Sequence, residues 1–214
     1  MESHKLKVSQ SEPNDRTFEY WDKVSKGDIE RTMNKICDGC NMESFKNKKD
    51  SIIFTLDIKF TKQDTVLDLA CGIGRTCKWV APSVKKYIGV DFIPKMIEEA
   101  KSYNKNYHNT SFVVNDGITL SGLDDNKIDV VYCELAFQHM LKPIQKSYIK
   151  EIFRVLKPNG SFYGQLPKLS FYKDDSFSLN NDEVTKLLKD FDVTWLSVDD
   201  ERYKAYYIFK ARKP

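Results

Sequence analysis

Three aspartates close three apolar runs: Asp68 in "TVLDLA", Asp91 in "KKYIGVD" and Asp116 in "SFVVND". A carboxylate accepts hydrogen bonds, and accepts them most strongly from charged donors. Asp68 stands just before the small-residue turn Ala70-Cys71-Gly72-Ile73-Gly74-Arg75. From there it can accept from an ammonium group, directly or through water. Asp91 follows at about the 20-residue distance at which an acid on a second strand meets a ribose diol. Asp116 is placed to accept from the exocyclic amine of a base. One acid for an amine, one for a diol and one for a base describe a single ligand, a cationic amino-acid nucleoside. A lone aspartate at a strand end more often caps the next helix. Three in succession, the first before a glycine turn, favour a shared ligand.

The turn narrows the choice further. A dinucleotide fingerprint needs G-x-G-x-x-G opening a helix. Counting from Gly72 puts Cys77 in the third glycine position, and counting from Ala70 puts Arg75 there. The lysine and Ser/Thr of a phosphate-binding loop are missing too. Gly72 and Gly74 let the backbone approach a ligand closely, but the turn is not built for pyrophosphate. A nicotinamide-dependent oxidoreductase is therefore disfavoured. Beyond it, "CELAFQHM" sets Glu134, Gln138 and His139 just after another apolar run. Histidine titrates near neutrality, which makes His139 the candidate general base, the alternative being a histidine that satisfies a helix end or loop carbonyl. Gln138 and Glu134 are placed to line the site of a reaction partner.

These residues need a scaffold that brings strand ends together. From Asp64 to Pro167 short β-rich runs alternate with helical stretches, the pattern of a parallel sheet with helices on both faces. The runs are almost continuously apolar, as expected when both sheet faces are covered. The clearest helix is "PIQKSYIKEIFRV", with Pro143 suited to its first turn, a stripe of Ile144, Tyr148, Ile152 and Val155, and "KPNG" to stop it. In the last quarter "DEVTKLLKDF" is helical. "DVTWLSV" and "KAYYIFKAR" then read as antiparallel strands joined by a tight turn across "DDER". Ahead of the alternation, residues 1–15 are polar and predicted to be disordered. Residues 16–60 read as a helical lid: Tyr20, Val24, Ile29, Met33 and Ile36 recur at helical intervals around a break at Gly27-Asp28, and a second helix spans Glu43 to Lys59.

Composition bounds the function classes. The 214 residues suit one domain with an appendage, and a net charge of only +3 gives no nucleic-acid signature. "KNKK" at 46–49 reads as a solvated helix face. No run reaches the ~18 apolar residues of a membrane span, and "MESHKLKVSQSEPND" lacks the apolar core of a signal peptide. A cytoplasmic protein is the expectation. Cys37 and Cys40 have metal-like spacing, but no second close pair completes a four-ligand site, so no metal is expected.

Taken in order, the motifs resemble those of the class I S-adenosylmethionine-dependent methyltransferases, from about Asp64 to Pro167. "VLDLACGIGR" is similar to the family's first motif, with Ala70 in place of the first glycine. "YIGVDFIPKMIEEA", "VVNDG", "IDVVYCELAFQHM" and "RVLKPNGSF" resemble the later ones. The resemblance implies a doubly wound, seven-stranded, mainly parallel sheet with an antiparallel last strand. It makes residues 61–214 the catalytic domain. It also implies S-adenosylmethionine bound through Asp68, Ala70, Gly72 and Gly74, with Arg75 on the methionine carboxylate, Asp91 on the ribose, and Phe92, Met96, Asp116 and Gly117 around the adenine. Trp21 of the lid would lie over the cofactor, and Glu134 would line its methionine end or the acceptor. Tyr20, Gln138, His139, Phe171 and Tyr172 would meet the acceptor. The expected activity is in-line methyl transfer to an oxygen or nitrogen of a small molecule, by a monomer or homodimer. The alternatives are a protein α-amine methyltransferase and a non-catalytic partner subunit.

Overall fold

The computed structural model describes residues 12–27, 51–199 and 201–214, apart from the side chains of residues 12–17 and 202. Strands β1 (Thr65–Leu69), β2 (Lys86–Asp91), β3 (Thr110–Val114), β4 (Ile128–Cys133) and β5 (Leu156–Pro167) pair in parallel. Two more strands, β6 (Asp192–Trp195) and β7 (Tyr206–Arg212), complete a seven-stranded sheet in the order β3-β2-β1-β4-β5-β7-β6. Only β7 runs against its neighbours on both sides. The order reverses at β1, which pairs with both β2 and β4. Such a switch point opens a crevice beyond the carboxyl ends of the strands.

Alternation along each strand divides the core into two layers. Leu67 and Leu69 of β1, Val131 and Cys133 of β4, and Phe162 and Leu166 of β5 face one way. There they bury Tyr148, Ile149, Ile152 and Val155 of helix α5 (Lys142–Val155). Val66 and Tyr132 face the other way. They pack on α2 (Ile52–Thr55), α3 (Cys77–Val80) and α4 (Pro94–Tyr103) through Ile52, Val80, Ile97 and Ala100. The predicted stripe of α5 is the one buried, and Pro143 sits in its first turn. Short helices α6 (Leu169–Tyr172) and α7 (Asn181–Leu187) follow β5. An Asn180–Glu183 capping box starts α7.

Several elements differ from the sequence expectation. Helix α1 (Glu12–Ser25) begins inside the segment predicted to be disordered, because Pro13 suits a first turn. The helix expected to run to Lys59 is, from Ser51 on, only α2. Ser51 adopts extended N-cap geometry and accepts from the amide of Ile53, which starts a fresh helix there. "KPNG" does not separate α5 from the next strand. It forms the irregular start of β5, where pairing jumps from Ile128–Leu156 to Val130–Ser161 and Asn159 takes φ 67. The link between β6 and β7 is no tight turn. It carries a 3-10 turn at Glu201–Tyr203 and is drawn inward by Tyr203 and Tyr206, which bury with Ile208. The expected helical positions Ile29, Met33 and Ile36, the pair Cys37 and Cys40, and residues 1–11 and 43–50 lie outside the described residues. Among the described residues no helix is long and apolar enough to cross a membrane.

Candidate functional site

The turn after β1 doubles back through three left-handed residues, Ala70 (φ 59), Gly72 (φ 53) and Gly74 (φ 68). An added Cβ on Gly74 would sit 2.6 Å from the Asn104 amide nitrogen and 2.9 Å from the Phe112 ring, so packing as well as φ demands glycine there. Asp91 ties the turn to β2. Its carboxylate accepts from the Gly72 amide at 2.9 Å and from the Ile93 amide at 3.0 Å. Burial raises its pKa, against the pull of those backbone amides.

Beyond this turn, at the switch point, lies a cleft enclosing about 870 Å³ between its walls and its open mouth. Ala70 and Gly72 form one edge; Asp91, Phe92, Ile93 and Met96 form the next. Asn115 and Gly117 line it after β3, and Glu134, Leu135, Ala136, His139 and Met140 after β4. Ile144 and Tyr148 of α5 and Trp21 of α1 complete it. Trp21 closes the roof edge-on to His139, with ring centroids 5.4 Å apart, while Phe18 meets Phe92 at 5.8 Å.

The three carboxylates do not converge. Only Asp91 lines the cleft. Asp68 lies within β1, not past its end, and alternation turns it toward its register partner Tyr132 beneath the turn. There it accepts from the hydroxyls of Thr76 at 2.8 Å and Tyr87 at 2.5 Å, and Thr76 in turn meets the Tyr132 hydroxyl at 2.7 Å. Burial pushes the Asp68 carboxyl up to about 6, although these hydroxyls favour its charged form. Asp116 is exposed and holds its own loop, accepting from the amides of Ile118 and Thr119 and from the Thr119 hydroxyl. Partial burial raises its pKa, but these donors outweigh it and hold the carboxyl below the usual range.

Arg75 has a protein partner in place of a ligand carboxylate. Its guanidinium is buried and lies 2.9 Å from Glu134. Glu134 also accepts from the Ser51 hydroxyl at 3.0 Å and the Ile52 amide at 2.9 Å. One carboxylate thus joins the glycine turn to the start of α2 while forming part of the cleft wall. Met96, Phe92 and Gly117 occupy the cleft as expected, and a Cβ on Gly117 would press the Phe92 ring at 3.3 Å.

The expected acceptor contacts divide. His139 lines the cleft, whereas Gln138 is buried outside its lining. Tyr20 is exposed and stacks edge-on against Trp21, and Phe171 is exposed as well. Tyr172 shares a 2.5 Å hydroxyl contact with Tyr206, away from the cleft. Conversely, Asn115, Leu135, Ala136, Met140, Leu141, Ile144 and Tyr148 line the cleft without having been anticipated. Asn115 had a legible signal. With β3 ending at Val114, it is the first polar residue past the strand. Its side chain donates to the Tyr148 hydroxyl and the Thr119 carbonyl, both at 2.8 Å.

The lining fits a nucleoside. Both Asp91 oxygens keep acceptor capacity beyond their one backbone bond each, and the side-chain-free Gly117 faces the Phe92 ring across a narrow gap. Comparison with known proteins agrees. Residues 67–164 match the family model described as a methyltransferase domain. An uncharacterized methyltransferase of Bacillus subtilis, YcgJ, is 34% identical over 99 residues, covering 45% of this chain and 38% of that protein. The demethylmenaquinone methyltransferase of Staphylococcus saprophyticus is 30% identical over 126 residues, covering 56% and 51%. The chain thus spans about half the length of these relatives or less. In fold, it is similar to a putative methyltransferase solved in complex with the Trm112 activator of Haloferax volcanii. That match has a TM-score of 0.68 at 19% identity and covers 91% of this chain and 97% of the other. Residues 67–164, which hold the switch-point turn and most of the cleft wall, are thus similar to a methyltransferase domain.

Proposed function

We propose that the chain transfers a methyl group from S-adenosylmethionine to an oxygen or nitrogen of a small, neutral acceptor. The observation that carries this is Asp91, a buried carboxylate in the cleft wall that is braced by the glycine turn and still able to accept from a diol. Asn115 and Gly117 would meet the base edge, Phe92 and Met96 its faces, and the backbone at Ala70 and Gly72 the amino-acid end. When bound, the cofactor supplies an electrophilic methyl carbon on a sulfonium. The chain's own part is then to orient the acceptor and keep water out. Trp21 and Met140 shield the cleft, and His139 accepts the proton that a neutral hydroxyl or amine acceptor gives up.

Charge supports a neutral acceptor. No lysine or arginine among the described residues lines the cleft, so an anionic group would find no counter-charge there. Of its carboxylates, Asp91 is committed to the ribose diol and Glu134 is already paired with Arg75, which disfavours a cationic peptide terminus. Calorimetry tests the proposal. S-adenosylhomocysteine is expected to bind in the micromolar range, about −8 kcal/mol, and NAD not at all. Asp91→Asn is expected to weaken that binding by about 1–3 kcal/mol. Tight NAD binding with no response to S-adenosylhomocysteine would overturn the assignment.

A further inference from the structure

Gln165, near the carboxyl end of β5, is wholly buried, and among the described residues neither its amide nitrogen nor its amide oxygen has a hydrogen-bond partner. Leaving a buried polar group unbonded costs about 1–3 kcal/mol, a penalty that leucine at this position would avoid. Strand alternation fixes which way the amide points. Phe162 and Leu166 face the α5 layer, so Gln165 faces the opposite layer, with Ile208 of β7 as its register partner. One step beyond the paired Cys133 and Gly164, Glu134 and Gln165 follow at the ends of adjacent strands. On the far side, Tyr203, Tyr206 and Ile208 form a buried cluster. Leu135 packs against that cluster and also lines the cleft, so it stands between the two. Its backbone is held at φ 52, a region costly for leucine.

Resting on the methyl-transfer proposal, we infer that Gln165 selects the methyl acceptor: its amide pairs with a neutral hydroxyl or carbonyl that reaches it past Leu135. A primary amide both donates and accepts, and so matches a group that does the same. The nearby charges reinforce the choice. Arg75 is paired with Glu134, so a phosphate or carboxylate would arrive beside a carboxylate, and no lysine or arginine among the described residues lines the cleft to meet it. Water is the competing partner for the amide, and it would make Gln165 merely structural.

Side-chain amide NMR on the full chain separates these roles. The protein is labelled with ¹⁵N-glutamine and saturated with S-adenosylhomocysteine, and the Gln165 signal is assigned by its loss in Gln165→Leu. Added 1-naphthol is expected to move that signal, and 1-naphthyl phosphate is expected to leave it in place. Gln165→Leu is expected to keep S-adenosylhomocysteine affinity, to melt no more than about 3 °C lower than the parent, and to bind 1-naphthol about tenfold more weakly. A Gln165 signal unmoved by 1-naphthol, or moved equally by the phosphate, overturns the inference. So does a melting point lowered by more than about 5 °C with 1-naphthol affinity intact. Failure of the parent to bind S-adenosylhomocysteine would instead remove the methyl-transfer proposal on which this rests.

Discussion

Asp68 shows how one step along a strand changes a residue's work. Because it precedes the strand end, it serves a buried hydroxyl network with Thr76, Tyr87 and Tyr132. Its raised pKa sets a direction for stability. Below the usual aspartate value near 3.8 both folded and unfolded chains hold the proton; as pH rises toward about 6, the unfolded chain releases it first. The folded state therefore loses about 3 kcal/mol across that window from this group. Asp68→Asn mimics the protonated form, so denaturant titrations from pH 4 to 7 are expected to show the variant gaining on the parent by up to that amount. A constant difference would mean that Asp68 ionises as an ordinary carboxylate. In the cleft wall, His139→Ala is expected to slow turnover by about 10²-fold or more at unchanged S-adenosylhomocysteine affinity, measured once an acceptor is in hand. Unchanged turnover would remove it as the base.

At the scale of elements, the joint between the glycine turn and α2 rests on Glu134. Its carboxylate takes one bond from Arg75 and two from Ser51 and Ile52. A buried ion pair is weak evidence of net stability, yet removing one partner leaves the other uncompensated and costs about 3–5 kcal/mol. Arg75→Met and Glu134→Leu are each expected to destabilise by roughly that much, and the double variant by much less than their sum. Urea unfolding of the four proteins gives the coupling directly; strictly additive losses would show that the contact carries no energy. α1 joins the same wall from outside, through Trp21 and Val24 against Ile73 and Met96. Through Trp21, α1 forms part of the cleft wall.

For the whole molecule, the site gathers residues from α1, the turn after β1, the ends of β2, β3 and β4, and α5. A ligand held by so many elements favours the folded state over the unfolded one. At about 100 times its dissociation constant, S-adenosylhomocysteine is expected to add about 2.7 kcal/mol. That raises the melting temperature by roughly 5–10 °C for a chain of this size. NAD at equal concentration is expected to leave the melt where it was, and an equal rise with both would show that binding is not selective for the sulfonium-derived nucleoside.

The sequence alone determined the alternation of strands and helices, the switch-point turn and the acid, Asp91, that lines the cleft beside it, because hydrophobic period, glycine placement and strand-end acids are local properties. Asp91, Phe92 and Gly117 were legible for that reason. It could not say that Asp68 turns inward, that Asp116 bonds its own loop, or that Arg75 already has Glu134. Those outcomes depend on side-chain direction and on which distant donor reaches a carboxylate first. Leu135 and Gln165 acquire meaning only when β4 and β5 lie side by side. Their positions relative to the cleft were decided by tertiary packing, since neighbours across a sheet share no spacing along the chain.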